Sequence, residues 1–190
     1  MQPRARPNLL LLPLALAAIL PLWFRRTRAR FFPHGKELGR YRNELSQRTQ
    51  RIEQVLADVA GAIDALRRRD MEVDDALPIL SAAEEQLDRE ADEMREMLAP
   101  EELHGLHMEY EANLERALRG IVTAERGCAI TWLPHRPPDD EEPFTYYKRG
   151  HANVVNARLR LQEAREVMLA WAPGKPADLS VATRLAHDDD

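Results

Sequence analysis

The sequence predicts an all-α protein: an elongated antiparallel helical bundle with coiled-coil-like hairpins, placed after an N-terminal membrane segment. Three observations predict it. Charged residues make up 31% of the chain and aromatic residues only 6%, a balance that suits long helices with narrow apolar seams better than a thick core. Apolar residues recur at helical spacing along most of the chain, whereas the alternating Val, Ile, Thr and Tyr runs of strands are hard to find. Residues 9–24, LLLLPLALAAILPLWF, form a run of 16 residues without a charge.

That run comes first in the chain. As an ideal helix it spans roughly 24 Å, less than the ~30 Å of a bilayer's hydrocarbon. Flanking arginines extend the usable length by snorkelling, and Trp23 and Phe24 stand where aromatic rings favour the interface. Arg25, Arg26, Arg28 and Arg30 follow the run, against Arg4 and Arg6 before it. The positive-inside rule then puts the remainder of the chain in the cytoplasm. A cleaved export signal is the competing reading, with Thr27-Arg28-Ala29 as its cleavage site. A leucine-rich run bounded by arginines makes a poor soluble core helix.

The six arginines of residues 1–30 face no acid. With a whole-chain charge of −5, residues 31–190 carry −11. An acidic domain repels phosphates, so nucleic acid is excluded as a partner. The basic flank suits anionic lipid headgroups, so the expected contact through residues 9–24 is a membrane.

Phe31-Phe32-Pro33-His34-Gly35 breaks the pattern. A helix of about 50 Å is then expected over residues 36–69. Leu38, Leu45, Ile52, Val59 and Leu66 repeat every seven residues, and Tyr41, Val55, Leu56 and Ile63 fill the adjoining positions. Those five seven-spaced residues are the candidate interaction seam, through self-association or another protein. A second helix is expected over 75–98, opened by Asp74 or Asp75, with Pro78 in its first turn and a seam of Leu77, Leu80, Leu87, Ala91, Met94 and Leu98. Pro100-Glu101-Glu102 opens a third, over 100–126, with Leu103, His107, Tyr110, Leu114, Ala117, Ile121 and Ala124 on one face and Gly127 as its stop. Residues 128–143 are read as a loop because four prolines forbid a helix through them. Trp132 and Leu133 are expected to tuck against the bundle, and Asp139 to Glu142 to stay in water. A fourth helix is expected over 144–171, with a seam of Tyr147, Val154, Ala157, Leu161, Ala164, Met168 and Trp171. Residues 173–190 read as a disordered tail. The domains are thus 1–30, 31–172 and 173–190.

Chemistry is sparse. Glu101 and His104 have the one-turn Glu-x-x-His spacing of di-iron bundles, with His107 and Glu111 beyond. No other histidine has a glutamate three residues before it, so one seam and one surface histidine are expected rather than a metal site. His151 would meet His107 if their helices packed together at that level, giving a pH-sensitive contact. The lone Cys128 allows no intrachain disulfide, and the C-terminal end of a helix raises a thiol pKa rather than lowering it. Gly35, Gly39 and Gly61 are isolated and form no phosphate loop, and no serine lies in a nucleophile elbow. No catalytic residue, cofactor or metal is expected.

Residues 99–110, Ala-Pro-Glu-Glu-Leu-His-Gly-Leu-His-Met-Glu-Tyr, with Leu114, Ala117 and Gly127, and then Lys148-Arg149-Gly150, Val154, Ala157 and Glu163-Ala164, resemble bacterial membrane-anchored or lipoprotein-like helical bundles. The resemblance covers about 40% of the chain. It implies a helical bundle without enzyme activity. This chain departs from it in lacking a lipobox cysteine and in its long proline-rich loop. The expected function is therefore that of a non-enzymatic, membrane-anchored helical protein mediating protein–protein contacts. The alternatives are an exported extracytoplasmic binding domain or a ferritin-like metal bundle.

Overall fold

A heptad repeat must bury one face of its helix, and the first helix does so over nearly its whole length. The computed structural model describes residues 34–133 and 141–172. Helix α1 runs His34–Arg68, α2 Val73–Glu96, α3 His104–Thr131 after a 3₁₀ turn at Glu101–Leu103, and α4 Pro143–Ala170. No strand occurs among the described residues. By backbone contacts the chain divides after Glu37, and the packing below is that of residues from Leu38 onward. The expected membrane segment at 9–24, Asp139 and Asp140, and the tail at 173–190 lie outside the described residues. Among the described helices none is long and apolar enough to cross a membrane.

Side-chain contacts fix the arrangement. Arg48 and Arg51 of α1 reach Glu93 and Glu90 of α2. Ser81 and Arg95 of α2 reach Glu125 and Glu115 of α3. Tyr41 meets Met168 and Arg67 meets His151, so α1 and α4 run in opposite directions. Gly120 faces Asn153 and Gly127 faces Tyr147, so α3 and α4 do too. Each helix is antiparallel to its neighbours around an up-down-up-down bundle.

The seams read from the sequence form the core. Leu45, Ile52, Val59 and Leu66 are 0–5% exposed, and Leu38 packs half-buried against the same cluster. Leu80, Leu87, Met94, Leu114, Ile121, Val154, Leu161 and Met168 complete it. The five seam residues singled out for contact with another chain are therefore occupied within their own chain, because α2, α3 and α4 together cover the face that a coiled-coil partner would otherwise cover.

Three local expectations are corrected. Helix α2 ends at Glu96, and Leu98 is 92% exposed rather than in the seam; the backbone turns extended at Met97, with a ψ of 126°, so Leu98 falls past the end of the helix and off its buried face. Helix α3 does not stop at Gly127 but continues to Thr131. A Cβ at Gly127 would lie 2.7 Å from Cε1 of Tyr147, so this glycine serves close packing rather than termination. Trp132 and Leu133 do not tuck in: they are 53% and 45% exposed, because the helix carries on past the level at which a loop would fold back.

Candidate functional site

The described residues offer two places where polar chemistry concentrates, one toward each end of the bundle. The first is built around His107, 3% exposed in the opening turns of α3. Its Nε2 lies 2.9 Å from the carbonyl of Met94 at the end of α2. A carbonyl only accepts, so Nε2 carries a proton and donates it. Nδ1 lies 3.5 Å from the Tyr41 hydroxyl of α1, which is 3.4 Å from Sδ of Met168 on α4. Glu111 Oε1 stands 3.3 Å from Nε2. The imidazole thus links α3 to α2 and meets the Tyr41 hydroxyl of α1, which in turn reaches α4. Burial pushes the Tyr41 phenol up to about 12, so it stays a neutral donor over the physiological range.

Further along α1, Glu90 of α2 is 7% exposed. It accepts from Nε and Nη2 of Arg51 at 2.5 and 3.0 Å, and Arg48 Nη1 stands 3.7 Å away. On the opposite flank Glu53 accepts from Arg158 and from Gln162, whose Nε2 is at 2.9 Å. Arg42 donates to the carbonyl of Trp171. These groups orient α1 between α2 and α4. The signal for Glu90 was present in the sequence: it falls among Leu87, Ala91 and Met94 at seam spacing, where a lone carboxylate requires a partner.

The second place is a cleft of about 390 Å³ at the far end of the bundle, between the α1–α2 turn and the start of α4. Leu66, Met71, Val73 and Tyr147 supply apolar walls, and Arg69 and Glu142 stand among the charged groups of its lining. The Tyr147 hydroxyl is 3.1 Å from Oγ1 of Thr131. Cys128 next to it is fully buried, and burial pushes its thiol up. That is the opposite of what a nucleophile needs.

The sequence candidates do not assemble. Glu101 and His104 are exposed while the His107 ring turns inward to Met94, so the Glu-x-x-His spacing does not converge on an ion. Among the described residues no group of three or more His, Cys, Asp or Glu is placed to hold a metal. His151 does not meet His107. It lies across from Arg67, whose Nη1 is 3.2 Å from Nδ1, because α4 runs antiparallel to α1 and its first turns sit at the cleft end. Burial, and then the charges of Arg67 and Arg68, hold the His151 pKa below its ordinary value. What the described arrangement offers chemically is packing, cross-helix hydrogen bonding and exposed apolar surface at Trp132, Leu133 and Phe144.

No family model matches the chain, and no curated protein or solved structure does either.

Proposed function

We propose that the chain is a membrane-anchored helical protein that works through protein–protein contacts and not through catalysis. The observation that carries this reading is the uncharged run at residues 9–24 with four arginines directly after it. A helix of that composition partitions into a bilayer, and the arginines hold its C-terminal side at the cytoplasmic face. Exposed Trp132, Leu133 and Phe144 support the contact role, since aromatic side chains are enriched at interfaces. The acidic balance of residues 31–190 disfavours nucleic acid as the partner.

Membrane fractionation with an alkaline wash tests the anchor. The full chain is expected to stay in the pellet, and a variant with arginines at Leu12 and Leu16 to leave it; full extraction of the unaltered chain overturns the reading. A reporter fused after residue 190 is expected to be active only if it folds in the cytoplasm. The second reading, export, is favoured by the small residues Thr27 and Ala29 at signal-cleavage spacing. N-terminal sequencing separates the two: a start at Arg30 supports export, and an intact Met1 supports the anchor.

A further inference from the structure

The connection between α1 and α2 differs in kind from the other two. Residues 69–72, Arg-Asp-Met-Glu, contain neither glycine nor proline, whereas Pro100 precedes α3 and Pro134, Pro137 and Pro138 precede α4. Prolines prevent those later connections from straightening into helix. The break after α1 rests on one backbone angle, a φ of 64° at Arg69, the only positive φ at a non-glycine residue among those described. Glycine ordinarily occupies such a helix-ending position, because an L side chain there is strained. Arg69 N donates to Leu66 O at 3.2 Å and Asp70 N to Ala65 O at 2.9 Å, closing the end of α1. Helix α2 starts at Val73, and Glu72 before it makes no side-chain cap.

Helical angles at 69–72 would relieve Arg69 and join α1 to α2. Arg68 and Glu72 would then stand one turn apart, which is favourable. Asp70 and Asp74 would also stand one turn apart, which is not, and Arg67, Arg68, Asp74 and Asp75 would lose their places at helix ends. These exposed charge effects are small and of both signs. Helix α1 is the first of the described helices, and the turn at 69–72 is its one chain connection to the other three. Its backbone stays farther from its neighbours than those of α3 and α4 do from each other, and side-chain tips make its contacts.

A withdrawn α1 exposes the apolar face of Leu45, Ile52, Val59 and Leu66 and uncovers a matching face on α2, α3 and α4. A second copy presents the same face. We propose that two copies exchange α1 about the hinge at residues 69–72, so that each α1 packs on the α2–α3–α4 of the other. The contacts of Tyr41 with His107, Arg51 with Glu90 and Glu53 with Arg158 re-form between copies, and only the hinge changes. A second copy of this chain thereby becomes the partner within the contact role proposed above.

The test uses the purified full chain with Cys128→Ala. One copy carries Arg67→Cys and a differently tagged copy carries His151→Cys; the two are expressed together and treated with a bismaleimide that spans about one helix–helix distance, roughly 10 Å. A chain carrying both cysteines gives the intrachain reference. A crosslinked heterodimer is expected, and Arg69→Gly, which removes the strain of the closed turn, is expected to reduce it about fivefold per hinge, equivalent to roughly 1 kcal/mol. Crosslinking confined to the intrachain reference, or a heterodimer yield indifferent to Arg69→Gly, overturns exchange. Either result leaves the membrane-anchored contact role standing, which the fractionation above tests separately.

Discussion

Helix α1 and the α3–α4 hairpin solve the same packing problem in opposite ways. The hairpin brings backbones together. A Cβ at Gly150 would lie 2.6 Å from the carbonyl of Gly120 and 3.1 Å from Ala124, and Ala157 and Ala164 continue the small-residue surface of α4. Helix α1 keeps its distance and fills the gap with large side chains, Tyr41, Leu45, Ile52, Leu56 and Ile63, flanked by Arg–Glu pairs. The pairs are partly exposed and contribute at most about 1 kcal/mol each, so apolar burial holds α1 in place. Close backbone packing tolerates no added atom, whereas spaced packing tolerates loss of atoms poorly and addition of surface atoms well.

That contrast yields ordered expectations, each read from urea unfolding midpoints of the full chain. Leu56→Ala removes a fully buried side chain from α1 and is expected to destabilise by about 3 kcal/mol; a loss below about 1 kcal/mol would show that α1 is dispensable to the core. Gly150→Ala is expected to destabilise by about 2 kcal/mol, because backbone atoms on both sides must move apart. Gly61→Ala on α1, with nothing within 4 Å of its Cβ, is expected to stabilise by up to about 1 kcal/mol. Equal signs for these two identical substitutions would break the comparison. His107→Leu removes the link from Nε2 to Met94 while the Met94 carbonyl keeps its bond from Met97 N at 3.1 Å, so a loss of only about 1 kcal/mol is expected, with faster amide exchange at the end of α2.

The smallest effect lies on the α2–α3 flank. Burial and the neighbouring Glu125 carboxylate raise the Glu84 pKa above 4.5. The folded state therefore holds this proton more tightly than the unfolded chain, and stability falls as pH rises from about 4.5 through the raised value. Glu84→Gln is expected to stabilise by about 0.3 kcal/mol at pH 7, on the scale of an exposed like-charge pair, with the gain vanishing below pH 4.5. A gain that persists at pH 3.5 would assign it to packing instead.

Much of the fold was legible because helical periodicity is a local property. The seams of the third and fourth helices, from Leu103 to Ala124 and from Tyr147 to Trp171, are buried as read. Pro143 opens α4 within a residue of the expected start. The buried polar groups were legible in part. His107 stood in a seam and is buried, and His104 stood off it and is exposed. Tyr41, which meets His107, and Met168, which meets Tyr41, were not legible as partners, since they come from helices 66 residues before His107 and 61 after it, and spacing within one helix carries no information across that distance.

By itself the sequence determined which residues turn toward an apolar interior, where prolines interrupt the helices, and the uncharged run at 9–24 on which the membrane reading rests. Only the tertiary structure decided what lies against each apolar face. The heptads of α1 meet their own chain, and Gly127 leaves room for Tyr147 inside a helix instead of ending it. The physical reason is that a repeat specifies a surface to be buried without specifying the surface that buries it, and a glycine looks the same in sequence whether it frees a backbone angle or vacates space for a neighbour.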